Sequence, residues 1–226
     1  MKAIVIGASG GIGSALADEL ELRGATVVRL SRRSSPPLDL ESDDSIAAAA
    51  AALADGAPFD LILVATGLLH GDDLVPEKTY RSLDGPALER LFRVNAIGPA
   101  LVARHFLPLL RSSGRAIFAA LSARVGSISD NRLGGWFGYR ASKAALNQII
   151  RTLAIELART RPDTLAVALH PGTVDTGLSA PFRRGLAEGQ LLTPAASAAR
   201  LLDVLDRLGP ADSGGCFDHR GDLIVP

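Results

Sequence analysis

The chain has 226 residues, 24 Lys plus Arg against 24 Asp plus Glu, and 47% apolar residues. That balance excludes intrinsic disorder, and the absence of a basic excess disfavours a nucleic-acid surface. A single cysteine, Cys216, excludes an internal disulfide and a Cys-rich zinc site. The length fits one domain over residues 1–226. Met1-Lys2 runs straight into Ala3–Ile6 and then glycines, too short for a secretory h-region. The longest apolar run, Ile46 to Ala54, is about half the length of a membrane span. The expectation is a soluble, cytoplasmic protein.

Strand and helix signals alternate. Lys2 to Ile6 is a short apolar run, followed by glycines and an amphipathic stretch, Ile12 to Leu22, which Gly24 stops. Thr26 to Leu30 is β-rich. Pro36-Pro37 breaks the chain, and Leu38-Asp39-Leu40 reads as a third short strand. Asp43 and Asp44 open an alanine-rich helix, where carboxylates complement the positive helix end. Phe59 to Ala65 is continuously apolar, as in a strand buried on both faces. Pro86 to Leu110 predicts a long helix bent near Gly98-Pro99. Ala116–Leu121 predicts a strand, Trp136–Arg159 a long helix, and Leu165–Leu169 a strand closed by Pro171-Gly172. Pro194–Leu208 predicts a helix capped by Thr193. Cys216–Asp218 and Leu223–Val225 read as a last strand or hairpin. The alternation argues for an α/β fold of Rossmann type, doubly wound, with a mostly parallel seven-stranded sheet and helices on both faces. The polar segment Gly177–Gln190 reads either as a mobile loop over a site or as a surface connection.

Gly7-Ala8-Ser9-Gly10-Gly11-Ile12-Gly13 lies between the first strand and first helix, the context of a dinucleotide fingerprint. Gly7 permits the tight turn, Gly11 a close approach to a pyrophosphate, and Gly13 helix-on-strand packing, while the helix N-terminus faces the anion. An NAD site calls for a carboxylate at the end of the second strand. The residues there are Ser31, Arg32 and Arg33, which suit a 2′-phosphate and favour NADP(H) over NAD(H); the alternative is a pair of solvated arginines.

The sharpest signal is Tyr139-Arg140-Ala141-Ser142-Lys143. The chain has two tyrosines and three lysines, so Tyr-x-x-x-Lys is expected by chance only about 0.03 times. Positions i and i+4 share a helix face. A lysine about 5 Å from a phenol supplies about 3 kcal/mol at an effective dielectric near 20, enough to lower the Tyr139 pKa toward working range.

The G-x-x-x-G-x-G spacing and this pair resemble the short-chain dehydrogenase/reductase family. The stretch Asp130–Trp136 before Tyr139 is similar to its C-factor-like and sniffer-like carbonyl reductase subgroup. The resemblance spans nearly the whole chain and implies further roles. Asp39 and Leu40 would bind adenine. Ala65-Thr66-Gly67 stands where the family has Asn-Ala-Gly. Asn95 would anchor a water on Lys143. Pro171, Gly172, Thr173, Val174 and Thr176 would hold the nicotinamide carboxamide, and Tyr139 and Lys143 its ribose. Ser122 would bind the substrate oxygen, although the register counted back from Gly126 falls on Ala123, and Ser127 is a second candidate. The family's assembly implies a homodimer or homotetramer through the helices Pro86–Leu110 and Trp136–Arg159.

His70, His105, His170 and His219 lack ligand spacing, and no metal is expected. Trp136 and Phe137 would line an apolar substrate pocket or pack in the core or between subunits. The implied activity is hydride transfer between NADP(H) and a small carbonyl or alcohol. The alternative is a dinucleotide-binding regulator without catalysis.

Overall fold

A computed structural model describes residues 1–71, 73–185 and 189–226. Its main sheet contains β1 (Lys2–Ile6), β2 (Thr26–Leu30), β3 (Leu61–Val64), β4 (Ala116–Leu121), β5 (Thr164–His170) and β8 (Cys216–Asp218), in the order β2-β1-β3-β4-β5-β8 and parallel throughout. A separate ladder pairs β6 (Thr173–Val174) with β7 (Leu191–Leu192). The helices are α1 (Gly11–Leu22), α2 (Asp43–Ala52), α3 (Gly85–Phe92), α4 (Gly98–Phe106), α5 (Phe137–Thr160) and α6 (Pro194–Arg207).

Strand parity builds the two halves of the core. Successive strand residues point to opposite faces. Ile4, Ile6, Ile62, Val64, Phe118, Ala120, Ala166 and Ala168 therefore pack with Ile46 of α2, Val102 and Phe106 of α4, and Leu146 and Ile150 of α5. Ala3, Val5, Leu61, Leu63, Ile117, Ala119, Leu165 and Val167 pack with Leu16 and Leu20 of α1 and Leu201 and Leu205 of α6. With both faces covered, the strands have no polar alternation to show, which is why residues 59–65 read as one apolar run.

The main sheet has six strands where the sequence predicts seven. Leu38–Leu40 forms no strand. After Pro36-Pro37 the chain turns back, with Leu38 N–H donating to Ser31 O at 2.9 Å, and Leu38 and Leu40 enter the core as loop residues. At the C-terminus Leu223 bridges Phe217 antiparallel and Ile224 N–H donates to Cys216 O at 2.7 Å, so the chain folds back on β8 as a short hairpin.

Over 86–110, where one long helix bent near Gly98-Pro99 is predicted, the regular helix is interrupted just before Gly98. α3 passes through a π-helical stretch, Arg93–Ile97, into α4. Pro99 has no N–H to continue the ladder, and a Cβ on Gly98 would lie 2.8 Å from Leu40 Cβ and 3.1 Å from Arg93 O. Glycine at 98 lets this helix approach the Leu38–Leu40 loop. Thr193 caps α6 by accepting from Ala196 N–H at 3.1 Å. No described helix is long and apolar enough to cross a membrane.

Candidate active site

A groove of about 300 Å³ crosses the C-terminal ends of β2, β1 and β3. The chain lays β2 on one side of β1 and β3 on the other, so the groove sits at a topological switch point. Gly7, Ser9 and Gly10 line it from the first turn, Ser31 and Arg32 from the end of β2, Asp39 and Leu40 from the following loop, and Ala65, Thr66 and Gly67 from the end of β3.

Glycine chemistry shapes this groove. Gly7 has φ +90°, and a Cβ there would meet Thr66 Cγ2 at 2.7 Å. A Cβ on Gly13 would fall 2.2 Å from Gly7 O, so α1 can rest on the β1 turn only without a side chain there. Gly11 lies against Thr176, whose Cγ2 would be 2.7 Å from an added Cβ. Ile12 packs partly buried on the α1–α6 side of the core. The loop thus reaches both the groove and the segment after β6.

Arg32 and Arg33 are exposed, and no ion pair among the described residues engages either. By contrast, Arg29 is spent on Asp18 and Glu21, at 2.7 and 2.8 Å. Arg33 N–H donates to Ser31 Oγ at 3.2 Å, closing a turn that leaves both guanidinium groups outward. Thr66 Oγ1 is buried without a hydrogen-bond partner.

Beyond Gly67 the groove meets α5. A Cβ on Gly67 would lie 3.8 Å from Lys143 Nζ and 3.9 Å from Asn95 Oδ1. Lys143 is 2% exposed; its Nζ donates to Leu121 O at 2.7 Å and stands 5.9 Å from the centre of the Tyr139 ring. Asn95, in the π-helical stretch, brackets Leu68: its Oδ1 accepts from Leu68 N–H and its Nδ2 donates to Leu68 O, both at 2.8 Å. Nδ2 also donates to Ser142 Oγ at 3.1 Å, and Ser142 Oγ donates to Tyr139 O at 2.9 Å. Ser142, which had no assigned role in the sequence reading, links Asn95 to the helix that carries Tyr139 and Lys143.

Burial dominates the electrostatics. It pushes the Tyr139 phenol up to about 12 and the Lys143 ammonium down to about 8. The sequence-based expectation that Lys143 lowers the Tyr139 pKa is therefore reversed in direction, because desolvation of the phenol outweighs the cation beside it.

Ser122 also departs from expectation. Its Oγ donates to Asn147 Oδ1 at 2.6 Å, two helical turns along α5 from Tyr139. Parity explains this: Phe118 and Ala120 face the α5 side of the sheet, and Ser122 continues that series. The next residue, Ala123, packs instead with Leu69 and Tyr139. Ser127, the second candidate, is buried, and its Oγ accepts from Asp130 N–H at 3.1 Å.

Around Tyr139 the walls are apolar. The Trp136 ring stands edge-on, 6.2 Å from Tyr139 and 4.8 Å from Phe182, while His70 meets Phe182 at 5.6 Å. Phe137 is 39% exposed and belongs to neither core nor wall. Phe182 comes from a 3₁₀ turn, Ala180–Phe182, so the described part of 177–190 does reach the site; residues 186–188 lie outside the described residues. His70 Nε2 is 3.1 Å from Leu178 O, which ties that turn down. No sequence pattern marked Leu69, His70 or Phe182, because each arrives from a loop.

The turn after β5 leads into the segment that meets Gly11 at Thr176. Gly172 has φ +78°, and a Cβ there would meet His219 Nδ1 at 3.0 Å. Pro171 O accepts from Ser197 Oγ at 2.8 Å, and β6, containing Thr173 and Val174, is held by pairing with β7. Burial pushes the neighbouring His170 down to about 4.

Known proteins are similar to this chain in sequence and in fold. The short chain dehydrogenase profile matches residues 1–187. The 1-hydroxy-2-glutathionyl-2-methyl-3-butene dehydrogenase of Rhodococcus sp. (strain AD45) is 30% identical over 228 residues, covering 96% of this chain and 95% of that protein. The C-signal protein of Myxococcus xanthus is 37% identical over 144 residues, 63% of this chain and 80% of that one. NADPH-bound carbonyl reductase from chicken fatty liver superposes with a TM-score of 0.86 at 25% identity, over 100% of this chain and 98% of that one. The chain belongs to the short chain dehydrogenase family of oxidoreductases.

Proposed function

We propose that the protein is an NADP(H)-dependent reductase of apolar carbonyl compounds, interconverting a carbonyl and an alcohol. The observation that carries this reading is the junction at Gly67, where the groove meets Lys143 Nζ and Asn95, with Tyr139 on the same helix face.

The residues fit a dinucleotide. The glycine cradle at Gly7, Gly10 and Gly11 admits a diphosphate against the α1 N-terminus, and Ser9, Ile12 and Gly13 shape that turn. Ser31, Arg32 and Arg33 supply hydroxyl and guanidinium groups for a 2′-phosphate. Asp39 and Leu40 face the adenine end, and Ala65, Thr66 and Gly67 line the floor. The orphaned Thr66 Oγ1 has hydrogen-bonding capacity free for a ligand. Pro171–Val174 and Thr176 approach the loop from the other side. When bound, the dinucleotide supplies or accepts the hydride.

Tyr139 holds its proton throughout the neutral range and gives it to the substrate oxygen as charge develops there. Lys143 stabilises the phenolate left behind. Asn95 orients a water that returns the proton from solvent. With Ser122 committed to Asn147, Tyr139 is the hydroxyl left to bind the substrate oxygen, and Trp136, Phe182 and Leu69 hold the apolar remainder. Assembly through the α3–α4 and α5 helices belongs to the same reading; Ile97 and Ile155, 42% and 43% exposed, supply apolar contact there.

The test is NADPH consumption against a panel of aldehydes and ketones, with Tyr139→Phe alongside. Turnover in the parent that is lost in Tyr139→Phe, with NADPH affinity kept, is the expected outcome. Turnover that survives in Tyr139→Phe would refute the assignment.

A further inference from the structure

We propose that Glu77 is a positioning residue for the active site: a buried carboxylate that caps α5 from outside the helix and so sets both Tyr139 and the Trp136 wall. The catalytic consequence rests on the function proposed above; the structural part does not.

The first turn of α5 has no cap of its own. Trp136 occupies the N-cap without a side-chain hydrogen bond, and the first turn contains no acidic residue. The helix is 24 residues long, so its N-terminus carries a full positive dipole end. Glu77 answers it from the loop between β3 and α3. Its carboxylate accepts from Gly138 N–H, at 3.2 Å to Oε1 and 3.4 Å to Oε2, and its main-chain oxygen accepts from Trp136 N–H at 2.6 Å. Tyr139 follows Gly138 directly.

Two features show how tightly this contact is built. Glu77 is only 5% exposed, yet no ion pair engages it among the described residues. A carboxyl group buried without a cation is tolerated only where hydrogen-bond donors such as N–H groups compensate it. Gly138 is equally constrained: a Cβ there would meet Leu91 Cδ1 at 2.6 Å, Leu88 Cδ2 at 2.8 Å and Glu77 Oε1 at 2.9 Å. The helix start is therefore clamped between α3 and the Glu77 carboxylate.

The clamp also explains a strained residue. Trp136 has φ 52° and ψ 45°, the only non-glycine positive φ among the described residues. A bulky left-handed residue is strained and persists only where its surroundings impose it. The N–H bond to Glu77 O on one side and the helix on the other impose it here. The result turns the indole onto Tyr139 and Phe182.

Trp136 is the only tryptophan in the chain, so its emission reads this geometry without any assay of turnover. Two variants of the full chain, Glu77→Ala and Glu77→Gln, are compared with the parent for emission, NADPH affinity and kcat. Gln keeps an acceptor oxygen at the same reach and discards the charge. The expected result is red-shifted emission and a kcat lowered at least about tenfold in Glu77→Ala, NADPH affinity within about twofold, and substantial recovery of both emission and kcat in Glu77→Gln. Parent-like emission and kcat in a folded Glu77→Ala would overturn the proposal. So would a Glu77→Gln protein that stays folded but shows red-shifted emission and lowered kcat, since the acceptor oxygen would then not be the operative feature. If Glu77→Ala does not fold, Glu77→Gln decides by the same two readouts. If the parent itself shows no turnover, the reductase reading fails while the emission still decides the cap.

Discussion

Lys143 and Tyr139 face opposite consequences of the same burial. A phenol held near 12 keeps its proton through the neutral range, so the proposed reduction has its acid available there. The ammonium, held near 8, is the group that changes. As pH rises through about 8, Lys143 loses its charge, and the phenolate formed in the reaction loses its stabilisation. The kcat/KM for reduction is expected to be level below pH 8 and to fall above it. At about 6 Å and an effective dielectric near 20 the cation is worth about 3 kcal/mol, so Lys143→Met should lower kcat/KM about a hundredfold and flatten the profile. A pH–rate series on both proteins checks this; an unchanged fall in Lys143→Met would assign it elsewhere. Ala123 supports a second expectation at this scale. It packs beside Tyr139 where Ser122 does not, so Ala123→Ser introduces a second hydroxyl near the substrate oxygen. Steady-state kinetics should show kcat/KM raised severalfold, and Ser122→Ala should cost less than Tyr139→Phe. The Tyr139–Lys143 pair was readable because scarce residue types fell at i and i+4. The serine was not: one residue of register decides which face of the strand it leaves, and only the hydrogen bond to Asn147 shows it.

Among the elements, α1 depends most sharply on one position. Gly13 sits where a Cβ would be 2.2 Å from Gly7 O, a backbone atom that cannot swing away. Gly13→Ala must therefore push α1 off the β1 turn, widening the loop that the diphosphate would meet. The expected outcome is a loss of about 2 kcal/mol or more of stability with weakened dinucleotide binding, read by thermal melts with and without NADPH. Gly10→Ala, whose Cβ would stand 3.4 Å from the same oxygen, should be milder in the melt. Helices were readable from their periodicity and punctuation: Gly24 after α1 and Thr193 before α6 stand where predicted, and the helix break falls just before Gly98-Pro99. The start of α5 was not, because its cap lies about 60 residues away at Glu77, and no local pattern announces a cap in trans.

At the scale of the molecule, the order β2-β1-β3 places the groove and so decides which charges face it. Arg32 lines that groove, and neither it nor Arg33 is tied to an acid among the described residues. Arg32→Ala with Arg33→Ala should weaken NADPH about tenfold or more while changing NADH less than about twofold. Equal weakening in a fluorescence titration of both dinucleotides would remove the 2′-phosphate assignment. The sequence by itself determined the α/β alternation, the glycine turn, the polar and basic residues Ser31 and Arg32 at the end of β2, and the Tyr139–Lys143 pair, because these are local features: periodicity, steric permission and fixed helical spacing. Only the tertiary structure decided that Leu38–Leu40 is core loop and not strand, that Ser122 turns to Asn147, that Phe182 packs between His70 and Trp136, and that Glu77 accepts from the first turn of α5. Each of these joins residues distant in the chain, and strand parity, burial and loop closure choose such partners by packing, which no single stretch of sequence contains.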